Sequence, residues 1–213
     1  GTRYMPNERT TVYMNYALEN ETAEAVLQPG AAGVGGGNLT TGVKTRLSDS
    51  TSVYLEERYR SASYMSGLTH STGVNLVPTQ RLSFSASTDI GTLTDMRTGA
   101  ETKRQAAAFS AGYGQGPLQV SSGVEYRTDD VEQPDLSFAT RDTWLFRSNF
   151  KYQLSQASRL VGKFNYSDSQ STLGQFYDGG YTEAVLGYAF RPVRNDRLNA
   201  LFKYTYFYNM PTA

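Results

Sequence analysis

One pattern recurs down this chain and leaves little room for alternatives. Residues alternate between two chemistries with a period of two, in runs longer than an ordinary strand. The stretch NLTTGVKTRLSDSTSVYLEERYR, residues 38–60, shows it twice around the polar knot Ser48-Asp49-Ser50-Thr51. In its first run Leu39, Thr41, Val43, Thr45 and Leu47 share one side, and Thr40, Gly42, Lys44, Arg46 and Ser48 the other. Period two is the signature of a strand with unlike faces. The helical period is almost nowhere to be found.

The same template fits Val12–Leu18, Leu82–Ile90, Leu118–Tyr126, Trp144–Leu154 and Leu198–Tyr208. It predicts about eleven strands, near 9–20, 38–48, 51–62, 68–77, 81–93, 101–113, 117–128, 140–154, 158–168, 180–191 and 197–209. Short connections are expected at 48–50, 77–80, 114–116, 155–157 and 193–196. Most of the intervening ones are expected to be longer, near 20–37, 92–100, 128–139 and 168–179, with a shorter one near 62–67. Long strands joined by turns at one end and loops at the other are how transmembrane barrels are built. Soluble strands usually have about five or six residues, whereas crossing a bilayer at a tilt takes about 9–11.

Composition agrees. Hydrophobic residues make up 38%, below the roughly 45–50% of soluble domains. Yet aromatics reach 13%, with 16 Tyr and 10 Phe against one Trp. Such a chain suits a sheet apolar on one face and ringed by amphipathic aromatic side chains. Twenty basic residues balance 20 acidic ones, which leaves no electrostatic footprint for nucleic acid. Without cysteine, disulfides, zinc thiolates and thiol nucleophiles are excluded together. No apolar run is long enough for a transmembrane helix. The start Gly1-Thr2-Arg3 lacks a signal peptide and suggests a mature product or an internal piece of a longer protein.

On this reading the apolar side of each strand faces lipid and the charged side a watery lumen. The lumen-lining charges expected are Lys44, Arg46, Arg58, Arg60, Arg81, Arg147, Lys151, Lys163 and Lys203, with Glu56, Asp89, Glu125 and Glu183. Arg127, Arg191 and Glu19 share that side. Cations outnumber acids there, a bias that in a pore favours anions. The aromatic girdle is expected at Tyr59, Tyr113, Tyr126, Trp144, Tyr166, Tyr188, Phe190, Tyr206 and Tyr208. Glu57 is a misfit on the apolar side.

Three segments carry the resemblance to a known class: GYAFRPVRNDRLNALFKYTYFYNMP (187–211), VYLEERYRSASYMSGLTHSTGVNL (53–76) and LVGKFNYSDSQSTLGQFYDG (160–179). They resemble the barrel region of large, mostly uncharacterised proteobacterial outer-membrane proteins. The resemblance implies an all-β fold, an antiparallel up-and-down transmembrane β-barrel in the bacterial outer membrane. It also implies about five further strands beyond residue 213, for a barrel of about sixteen. An odd count points the same way, because closing eleven strands would pair the first and last in parallel. Residues 1–213 are thus expected to form a single barrel region, incomplete at the C-terminus. Its partners would be the lipid bilayer and either further strands of the same protein or a partner chain that completes the barrel, with no nucleic acid.

Chemistry is not expected. His70 is the only histidine and lies with Leu68 and Val74 on the apolar side, away from any setting for a nucleophile and an orienting acid. The acidic run TDDVEQPDLS, with Asp129, Asp130, Glu132 and Asp135, reads as a solvated loop rather than a calcium loop. Glu56, Asp89, Glu125 and Glu183 read as lumen charges rather than as a glycosidase pair. GAAGVGGG, 30–37, lacks the Gly-Lys-Ser/Thr ending of a phosphate loop. No catalytic, cofactor-binding or metal residue is assigned. The expected function is a membrane anchor and passive pore for small polar solutes, with no enzyme activity. The alternative is a surface interaction or adhesion module whose barrel tethers a larger region.

Overall fold

The computed structural model describes residues 1–19, 36–62, 65–174, 178–192 and 199–211. Twelve strands form one sheet in strict sequence order: β1 (Thr2–Asn7), β2 (Thr10–Glu19), β3 (Gly36–Arg46), β4 (Thr51–Ser61), β5 (Met65–Thr79), β6 (Leu82–Asp95), β7 (Glu101–Gln115), β8 (Leu118–Glu132), β9 (Phe138–Gln153), β10 (Ser158–Ser171), β11 (Gly179–Phe190) and β12 (Ala200–Pro211). Every pair with a resolved register is antiparallel, and β10 and β11 stay in step from Ser158↔Phe190 to Ser169↔Gly179. An unbroken register is the up-and-down meander that alternating patterns demand.

Two expectations need correction. The strand count rises by one, because β1 precedes the first expected strand. It contains Pro6, and proline donates no ladder hydrogen bond. Here it sits where the register slips between Tyr4 and Asn7, so the proline falls at the irregularity. With twelve strands the parity argument for missing ones lapses. Loop lengths change too. The expected loops at 92–100 and 128–139 shrink to 96–100 and 133–137, since β6 and β8 run on to Asp95 and Glu132. Strands consequently reach 16 residues in β9. The expected loop at 20–37 lies mostly outside the described residues, although Gly36 and Gly37 open β3.

The chain groups into two compact units. The first comprises Gly1–Val74, Ser87–Ala106 and Thr128–Thr140, and the second Asn75–Ala86, Ala107–Arg127 and the chain from Arg141 onward. In the first, Val12 opposes Val43 and Val43 opposes Leu55, while Tyr13, Gly42 and Glu56 form the neighbouring row on the other face. In the second, Tyr152, Leu160, Tyr188 and Phe202 form one row and Lys151, Val161, Gly187 and Lys203 the next. Both show the alternation read from the sequence.

Neither unit has an ordinary core. Among the described residues only Ala62, Leu93 and Ala139 are buried apolar side chains. Large apolar groups are instead left open on one face: Tyr16 is 61% exposed, Leu55 54%, Ile90 56% and Trp144 52%. A sheet that hides almost nothing apolar from its surroundings cannot be held together by burial in water. Rings close gaps along the sheet. Tyr13 lies over Gly42, Tyr54 over Gly73 and Phe150 over Gly162, each an aromatic side chain covering the space left by a strand glycine.

Candidate functional site

The polar face gathers most of the strand charge, and its geometry differs between the units. In the first, Arg3, Tyr13, Gly42 and Glu56 lie in one cross-strand row. Glu56 accepts from the Tyr13 hydroxyl and from Arg58, whose Nε is at 2.9 Å and Nη2 at 2.6 Å. Asp89 accepts from the hydroxyl of Ser71, which is 1% exposed. Lys44, opposite Tyr54, borders a groove of about 570 Å³ that Arg3, Tyr13, Asn15 and Glu56 also line.

In the second unit three donors converge on one oxygen of Glu183: Lys163 Nζ at 2.8 Å, Asn165 Nδ2 at 2.8 Å and Tyr181 Oη at 2.7 Å. Arg147 and Asn165 share the row of Glu183. These carboxylates are already engaged as structural acceptors, which is how charges on a sheet face are made tolerable. Among the described residues Lys44, Arg46, Arg147, Lys151 and Lys203 have no acidic partner. Twelve of the thirteen charges read as lumen-lining, Arg60 and Glu125 included, lie on strands at the polar parity. Arg81 sits in the two-residue turn between β5 and β6.

The acidic run is not a loop. Asp129, Asp130 and Glu132 belong to β8, and only Asp135 lies in the connection. Asp129 is 6% exposed and accepts from two of the three guanidinium nitrogens of Arg104, Nε at 2.6 Å and Nη2 at 3.3 Å. Asp130 accepts from Thr140 Oγ1 at 2.6 Å, and Glu132 from the Glu101 backbone at 3.1 Å. These bonds cross to β7 and β9, which is why the strands run on past the expected boundary. In the 133–137 turn, the Ser137 hydroxyl at 2.6 Å and then its backbone N–H hold the Asp135 carboxyl below the usual carboxylate range. Leu136 at its tip adopts φ 64°.

On the apolar face Glu57 and His70 meet, Nδ1 to Oε1 at 3.4 Å, both more than half exposed. The misfit acid and the sole histidine are cross-strand neighbours. The girdle residues lie on this face too, with Tyr126 and Trp144 rings 4.8 Å apart. They do not form two thin rings: Tyr206 occupies the mid-strand row Ser148, Phe164, Ala184 and Tyr206. Sequence reading passed over Tyr13, Tyr181, Asn165 and Arg159. Parity places Tyr181 two residues from Glu183 and Asn165 two from Lys163, so it could have found those two, whereas Tyr13 and Arg159 needed the register between strands. Arg104 and Ser71 needed the contacts. Among the described residues no group of three His, Asp or Glu side chains could hold a metal.

An antiparallel up-and-down sheet with one exposed apolar, aromatic face and one charged face is the outer-membrane β-barrel fold. Proteins with this fold reside in the bacterial outer membrane. No protein-family model matches the sequence, and no curated protein does. Among solved structures the chain is similar to OmpT, an outer membrane protein of Vibrio cholerae. The in-vitro folded form matches with TM-score 0.50 and 10% identity over 96% of this chain and 89% of that one. A loop L8 deletion mutant gives 0.50 and 10% over 95% of both chains, and the outer-membrane expressed form 0.50 and 10% over 96% and 89%. At that identity the likeness concerns the fold.

Proposed function

We propose that this chain is barrel wall: a membrane anchor in the bacterial outer membrane whose polar face lines a passive path for small polar solutes. The observation that carries this reading is the split between faces. Side chains such as Tyr16, Leu55, Ile90 and Trp144 lie open on one face, while the other is rich in charge. Hydrocarbon accepts the first and rejects the second, and it tolerates no open sheet edge, so such a wall closes on itself or on a partner's strands. The resemblance to the barrel regions of large proteobacterial proteins supports the anchoring half, with the wall tethering further regions. The engaged carboxylates of the polar face support a wall that catalyses nothing.

The experiment is refolding of the chain in detergent micelles, followed by boiled and unboiled gel mobility and conductance in planar bilayers. A heat-dependent mobility shift with discrete conductance steps is the expected result. A folded but silent protein would reduce the function to anchoring. A stable monomeric β fold in plain buffer would refute the membrane reading altogether.

A further inference from the structure

The polar face of β9–β12 carries Arg147, Lys151, Arg159, Lys163 and Lys203, and the acid on those strand positions is Glu183. Glu183 is occupied by Lys163, Asn165 and Tyr181. Lys151 and Lys203 stand at the two ends of the row Lys151, Val161, Gly187 and Lys203, with only a valine and a glycine between them. Gly187 lies four positions from Glu183 along β11, about 13 Å at strand rise, so that carboxylate cannot neutralise them directly. The next row towards the turns holds Arg159, whose Nε donates to Gln153 at 2.9 Å. Beyond it lies a groove of about 520 Å³ lined by Gln153, Gln156, Ala157, Arg159, Arg191 and others, with no acid among the described lining residues.

We infer that this stripe, from the Arg159–Arg191 groove to the Lys151–Lys203 row, binds small oxyanions of the phosphate class. Arg159, whose bond to Gln153 engages only Nε, offers forked guanidinium donors that fit phosphate oxygens, Arg191 adds positive charge at the groove, and the lysines extend the positive field along the strands. The wall thereby selects anionic over cationic solutes. The selectivity rests on the pore reading given above, whereas the binding does not.

Inorganic pyrophosphate is the probe. It is titrated calorimetrically at low salt into the refolded full chain in zwitterionic micelles, beside Lys151→Gln/Lys203→Gln, Arg159→Gln and, as a control, Lys103→Gln, whose ammonium lies over the Phe138 ring. Saturable binding is expected to weaken about ten-fold in the double variant, from loss of two nearby charges, and to be unchanged in Lys103→Gln. Arg159→Gln, a single change, serves if the double variant does not refold. No saturable binding to the parent chain, or equal binding by the stripe variants, overturns the site. Reversal potentials across a KCl gradient test selectivity. Anion preference that falls in the double variant supports the inference, and cation preference in the parent overturns it. Absence of channels with pyrophosphate binding intact would sink the pore reading and leave the site standing.

Discussion

Gly42 offers a sharp test of how this sheet is held together. A glycine within a strand ordinarily costs stability, so replacing it with alanine gains about 0.5–1 kcal/mol. Gly42 should do the opposite. A Cβ there would lie 2.7 Å from Tyr13 Cζ and Oη and 2.9 Å from Glu56 Cγ. Tyr13 would have to swing away, and its hydroxyl would lose Glu56. A hydrogen bond to a charged group contributes about 1.5–3 kcal/mol. Net of the alanine gain, Gly42→Ala should destabilise by about 1–2 kcal/mol. Gly114 is the control, since the only neighbour its Cβ would meet is Gln119 Cγ at 4.0 Å; Gly114→Ala should be neutral or stabilising. The assay is reversible urea unfolding in lipid vesicles, followed through the fluorescence of Trp144, the sole tryptophan. In a Tyr13→Ala background most of the Gly42→Ala cost should vanish, a coupling that a double-mutant cycle reads directly. If Gly42→Ala proves as stable as Gly114→Ala, the ring-over-glycine account is wrong.

Four further outcomes follow from named contacts. Arg104→Met leaves the buried Asp129 without its two-nitrogen partner and should cost about 2 kcal/mol in the same unfolding assay, less than a fully buried pair because Arg104 is partly solvated. Leu136→Asn should gain about 0.5–1 kcal/mol, because a leucine at φ 64° is strained and asparagine tolerates that region; a loss would show that Leu136 is held by contacts instead. Glu57→Leu should raise stability in vesicles by about 1 kcal/mol, since an acid on the lipid-facing side is unfavourable, whereas a decrease would place Glu57 in water. Because the folded Asp135 carboxyl is held low, its contribution is present above its ordinary value near about pH 4 and lost as pH falls through the lower folded value. Protection of the 133–137 amides, measured against the intrinsic exchange rate at each pH, should therefore fall on acidification below that range, and Ser137→Ala should remove most of the dependence.

The alternation by itself determined that this chain makes strands, which residues share a face, and that the two faces meet different surroundings. Those conclusions need only the two-residue repeat of an extended chain, a local property that survives errors in strand ends. That is why Lys163 and Glu183 could be placed on one side without knowing that they touch. Tertiary structure decided what depends on neighbours. β1 exists because its backbone pairs with β2 despite Pro6, a contact invisible in six residues of weak pattern. Asp129 leaves the loop for the strand because Arg104 on β7 receives it. Glu57 and His70, two separate oddities in the sequence, become one pair only when β4 lies against β5. Register between strands sets these meetings, and register is a property of the whole sheet. It also separates the carboxylates that are already engaged from the lysines of the Lys151–Lys203 row, a distinction that charge counting along the chain cannot make.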